Sequence, residues 1–179
     1  MSAAGYVHRN INPSSVAISG TLSNPGGVHA KLAGFGLACR LEELSGEGRP
    51  RMAGNSMYTA PEVWHLGEDL SKMDVWSVGR LAFELFVGRP PQMAHVDVDG
   101  QRYMVPYKLE LDSDEAFQAL RRDDRKVGKL IGAMLQERAS QRISIPRALK
   151  KFSKMAKAAK ADLGEQSAVA LPESWAREA

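Results

Sequence analysis

The sequence predicts a mainly α domain with small β-hairpins, an α+β fold whose helices carry the core. Three observations point there. A long apolar segment lies between helix signals at Ser71 and Gly88. Val127, Leu130, Ile131, Met134 and Leu135 recur at helical spacing. Short β-branched or alternating runs elsewhere are separated by turn residues.

Taken in order, residues 16–19 (Val-Ala-Ile-Ser) and 28–33 (Val-His-Ala-Lys-Leu-Ala) read as two strands of a hairpin. Gly20, Asn24, Pro25, Gly26 and Gly27 supply the turn chemistry between them. Residues 40–56 are rich in Gly, Arg, Glu and Pro without periodicity, so a mobile surface loop is expected. In the next segment Ser71, with Asp74 three residues on, forms a start like a capping box, and Gly88 before Pro90-Pro91 forms the stop. Between them Val75, Trp76, Val78, Leu81, Phe83, Leu85 and Phe86 cover nearly every direction, which predicts a helix buried on most sides.

Residues 95–107 hold an Asp-Gly turn at Asp99-Gly100 between alternating segments, a hairpin pattern. A calcium loop fails there, because His95 would be the first ligand and Pro106 the last. An amphipathic helix follows over 127–135, and a last helix is expected from Ser144, with Pro146 in its first turn, to about residue 160. The reading divides the chain into a folded unit, 1–160, and a flexible tail, 161–179.

Composition narrows the function classes. With 179 residues and 44% hydrophobic content, one substantial core is affordable. The balance of 24 basic to 21 acidic residues, net +3, is too mild to imply nucleic acid, and with aromatics at 7% no nucleic-acid partner is expected. Cys39 is the single cysteine, which excludes an internal disulfide and suits a reducing compartment. No run approaches the roughly 18 to 20 apolar residues of a membrane span, and the cytoplasm is the default compartment. Arg147, Lys150, Lys151, Lys154, Lys157 and Lys160 form a basic run with no acid inside it. A solvated face is the main reading of that run, and membrane contact through 147–160 the lesser one.

Four short motifs occur in a fixed order: His8-Arg9-Asn10, Gly34-Phe35-Gly36, Ala60-Pro61-Glu62 and Asp74-Val75-Trp76-Ser77-Val78-Gly79, with Arg142 late in the chain. Over roughly residues 5–152 this set resembles the catalytic loop, metal-binding motif, activation-segment end and central helix of a eukaryotic protein kinase. The resemblance implies the C-terminal lobe of that fold, without its N-terminal lobe. No Gly-x-Gly-x-x-Gly occurs, since Gly46-Glu47-Gly48 fails at the third glycine. It also implies a Glu62–Arg142 pair, an Asp74 that reaches the catalytic-loop backbone, and a His8 packed near Phe35.

The departures from the pattern sit where the chemistry would occur. Asn10 stands at the orienting base, Asn12 at the catalytic-loop lysine and Ser15 at the second metal ligand. Gly34 replaces the metal-binding aspartate, and Asn55 the activation-segment threonine. An amide cannot carry away a proton at neutral pH, and Gly34 brings no side-chain oxygen to a metal. The expectation is therefore a kinase-like fold that is not an enzyme, acting as a protein-binding or scaffolding module with no cofactor. ATP and magnesium belong only to the alternative, an unorthodox serine/threonine kinase; a truncated fragment is the third reading. A protein partner is expected. Ser45 is a candidate phosphosite, whose phosphate would pair with Arg9.

Overall fold

The computed structural model describes residues 5–20, 29–44, 52–65 and 69–163. Two short antiparallel ladders come first. Strand β1 (Tyr6–Val7) pairs with β4 (Cys39–Arg40), and β2 (Val16–Ser19) pairs with β3 (His29–Leu32) in the register Val16↔Leu32 to Ser19↔His29. Their order matters for the site. The segment 8–15 leaves β1 and enters β2, while 33–38 leaves β3 and enters β4, so the ladders hold both loops at one place. A bond from the Ala33 N–H to the Ser15 carbonyl, 2.8 Å, ties them together.

Helix α1 (Met73–Val87) is the centre of the molecule, with Trp76 and Phe83 almost fully buried. Gly88 ends it in the left-handed conformation, at φ 82°, and its N–H returns to the Glu84 carbonyl. The expected cap is different. Lys72 occupies the N-cap position without a side-chain bond, and the Ser71 hydroxyl donates to Asp69 instead. Asp74 is turned to the catalytic loop, so it cannot serve its own helix end.

The 95–107 region is a hairpin of β5 (Met93–Val98) and β6 (Gln101–Leu109), with Asp99 and Gly100 both at positive φ in its turn. Helix α2 (Glu115–Asp123) was not anticipated. Asp114 caps it by accepting from the Phe117 N–H, and the Phe117 ring packs on Phe83 with centroids 5.3 Å apart. Helix α3 (Arg125–Met134) then lies against α1 so closely that a Cβ on Gly79 would come within 2.7 Å of the Met134 Cβ. Helix α4 (Ile145–Leu163) runs a little past its expected end, and residues 164–179 of the expected tail lie outside the described residues. Among the described residues no helix is long and apolar enough to cross a membrane.

One expectation needs correction. The 40–56 stretch is not a loose loop throughout: Arg40 is in β4, Leu41–Leu44 form a 3-10 turn, and Leu44 is buried in the core. Its residues 45–51 lie outside the described ones. Helix α1 is buried on most sides, as expected, and only the stripe of Val78, Leu85 and Phe86 is exposed. Sequence shows that an apolar face exists but not whether the fold supplies enough neighbours to cover it.

Candidate functional site: the catalytic loop and activation-segment end

The loop after β1 is held by one carboxylate. Asp74 accepts from the His8 N–H at 2.7 Å and from the Arg9 N–H at 3.0 Å. Arg9 sits at φ 69°, an unfavourable region for a side-chain-bearing residue, so these two buried charge-assisted bonds fix a backbone that would otherwise relax. The His8 ring faces the Ala33 carbonyl through Nε2 at 3.0 Å, and its Nδ1 accepts from the Asn10 N–H at 3.3 Å. That pattern requires the neutral tautomer protonated on Nε2. Phe35 meets the same ring edge-on at 4.9 Å. The guanidinium of Arg9 donates to the Leu37 carbonyl at 3.3 Å.

The candidate reactive positions form a network of amides. Asn10 Oδ1 accepts from Asn12 Nδ2 at 2.9 Å and from the Asn55 N–H at 3.1 Å, which engages both of its lone pairs. Asn12 Oδ1 accepts from the Ser14 N–H, and the Ser15 hydroxyl accepts from the Asn12 N–H while donating to the Asn12 carbonyl at 2.8 Å. The link from the activation segment thus runs through the Asn55 backbone rather than its side chain, which accepts from the Met57 N–H. This loop can offer donors to an incoming oxygen, but it offers no base.

Gly34 lies at φ 78°, ψ 42°, and a Cβ built there would meet only the Ser15 Cβ, at 3.9 Å. Space for a carboxylate exists, but the residue present supplies none. With the Ser15 oxygen buried and already bonded twice, these residues do not fit a magnesium clamp. Among the described residues no cluster of three or more His, Cys, Asp or Glu side chains could hold a metal. Ser45 lies outside the described residues.

The end of the activation segment docks on this loop. A Cβ on Gly54 would fall 2.5 Å from the Arg9 carbonyl oxygen and 2.7 Å from Asn10 Oδ1, so glycine is required for the approach. Beyond it, Ala60, Pro61 and Glu62 are buried, and Arg142 meets Glu62 with Nη2 to Oε2 at 2.8 Å and Nη1 to Oε1 at 2.5 Å. Arg142 also donates to the Gln136, Glu137 and Lys72 carbonyls and lies over the Trp76 ring.

Sequence reasoning missed a second charged group on α1. Tyr58 donates to Glu84, and both burial and that bond raise its hydroxyl above the ordinary value. Arg80, one turn before Glu84, is fully buried with Nε and Nη2 lacking hydrogen-bond partners among the described residues; Nη1 meets Met93 Sδ at 3.2 Å. Burial lowers it to about 10, an effect opposed by Tyr58 and Glu84. A charged residue four positions before Glu84, inside a helix read as core, was the available signal.

A profile of the protein kinase domain matches residues 1–152. The chain belongs to the protein kinase family. It is 29% identical over 140 residues to calcium-dependent protein kinase 31 of Arabidopsis thaliana, covering 78% of this chain and 27% of that protein. It is 29% identical over 150 residues to serine/threonine-protein kinase ATG1 of Komagataella pastoris (77% and 18%), and 32% over 93 residues to human serine/threonine-protein kinase ULK1 (50% and 9%). The matched region thus spans less than a third of each of these relatives. The family match and these relatives overturn the expectation of a chain that is not an enzyme: both point to a protein kinase.

Proposed function

We propose that this chain acts as the C-terminal, polypeptide-binding lobe of a serine/threonine protein kinase domain, docking and positioning a protein substrate beside the catalytic loop. The observation that carries this reading is the close seating of Gly54 and Asn55 on Asn10, above the buried Glu62–Arg142 pair. A platform built this way is rigid where a polypeptide would lie. Asn10 Nδ2, which makes no hydrogen bond to a described residue, is available to donate to an incoming oxygen. Loss of a general base removes about 10²–10⁴ in rate, so the site contributes orientation more than proton transfer.

The test is transfer of labelled phosphate from Mg·ATP to a generic serine/threonine protein substrate by the full 179-residue chain, alongside direct measurement of substrate binding. Transfer or binding that falls in Asn10→Ala supports the reading. Binding without transfer keeps the docking role and removes the transferase. Absence of both, from folded protein, overturns it.

A further inference from the structure

Helix α4 borders two adjoining cavities whose charged lining is all of one sign. The larger, about 820 Å³, lies at the start of α4 and is lined by Lys72, Arg147, Lys150, Lys151 and Lys154, with Ser140 and Ser144. The smaller, about 300 Å³, lies further along α4. It is lined by Lys126 and Lys129 of α3, again by Lys151 and Lys154, and by Leu130 and Met155. No acid lines either cavity.

Arg147, Lys150, Lys151 and Lys154 stand at i, i+3, i+4 and i+7, so they share one face of α4. Like charges at i, i+4, here Arg147 with Lys151 and Lys150 with Lys154, weaken a helix. None of these cations forms an ion pair with a described residue. Lys72 alone among them is engaged, donating to the Ser140 and Arg142 carbonyls. The repulsion is uncompensated among the described residues, and an anion supplied from outside would relieve it.

Geometry and lining select the occupant. From Arg147 to Ala158 the two cavities follow α4 for about 16 Å, the length of about five extended residues. Lysine ammonium groups act as point charges and impose no bidentate geometry on a carboxylate. Leu130 and Met155 add an apolar seat in the smaller cavity, which a bare polyphosphate would leave unused. Leu149 and Phe152 lie about 180° round α4 from the cationic face, so one bilayer surface could not take up both. No aromatic side chain lines either cavity, so nucleobases have no stacking platform. A second copy docked symmetrically would set lysines against lysines.

We propose that this face docks an extended acidic segment of a partner polypeptide, with carboxylates against the α3 and α4 cations and one apolar side chain against Leu130 and Met155. The inference does not rest on the function proposed above, since α3 and α4 carry it and the catalytic loop takes no part.

The test is fluorescence anisotropy of the full chain with a labelled acidic peptide of Glu residues around a single Leu. Two comparison peptides carry Lys in place of Glu, or Ser in place of Leu. The acidic peptide should bind at least tenfold tighter than the Lys peptide and at least threefold tighter than the Ser peptide, and weaken as salt rises. Lys151→Glu with Lys154→Glu should cost at least tenfold, and Lys126→Glu with Lys129→Glu at least threefold. Lys31→Glu with Arg102→Glu makes the same charge change on β3 and β6, and should alter binding less than twofold. All six side chains are exposed, so circular dichroism should be unchanged. Binding of either comparison peptide as tight as that of the acidic peptide, no binding, or an equal loss in the β3 and β6 variant overturns the proposal. So does binding of phosphatidylserine vesicles or of a single-stranded oligonucleotide that the acidic peptide fails to displace.

Discussion

The layer beneath the activation segment and the pocket above it are built on opposite electrostatic principles. Beneath, full charges are buried and matched: Glu62 with Arg142, and Asp74 with two backbone N–H groups. Above, at Asn10, Asn12, Asn55 and Gly34, there is no ionised side chain, and neutral amides hold one another. Buried charge is tolerated only where its partner is fixed, so the lower layer determines one loop conformation. The upper layer can change its chemistry without loosening that loop. Positioning and reactivity are therefore separable in this molecule.

The comparison breaks most severely at Arg142. Arg142→Ala leaves Glu62 buried and uncompensated, and should lower stability by about 3–5 kcal/mol in urea unfolding. Asp74→Ala comes next: two buried N–H groups lose their acceptor, at about 1–3 kcal/mol each, and Arg9 is released from its strained φ. Gly54→Ala should cost about 1–3 kcal/mol from overpacking against the Arg9 carbonyl, with peptide binding reduced further than stability.

Arg80 sharpens the contrast because it is buried yet poorly paired. Arg80→Met should leave thermal stability unchanged or raise it by about 1–3 kcal/mol, since unsatisfied donors leave the interior. The neighbouring Tyr58 gives a pH signature. Its hydroxyl titrates above the ordinary value in the folded state, so the folded chain holds that proton longer than the unfolded one. Its contribution is complete below about pH 10 and is lost as pH rises further. Arg80, lowered to about 10, acts in the opposite sense above that pH. Tyr58→Phe should flatten the alkaline loss of stability followed by fluorescence, while Arg80→Met should steepen it.

How much of this was legible in the sequence depended on whether a single motif fixed the partner. Asp74 and Arg142 announced themselves as scaffold residues, and their partners follow from the motif order. The hairpin at Asp99-Gly100 was legible because a two-residue turn needs positive φ. Helix α2 was not, although Asp114 three residues before Phe117 is an adequate cap signal; its short periodic stretch is dominated by charge. The amides were visible as substitutions, but which atoms meet depends on how closely Gly54 approaches, and that is a tertiary property. Exposure of Phe86 could not be read either, because apolar periodicity does not report what covers a face.

The most direct test of the central claim is a nitrogen-15 amide titration of the intact chain with a serine-containing peptide. The account predicts shifts concentrated at Asn10, Gly54 and Asn55, unchanged in an Arg80→Met background. Shifts absent from those three amides while the peptide binds elsewhere would contradict it.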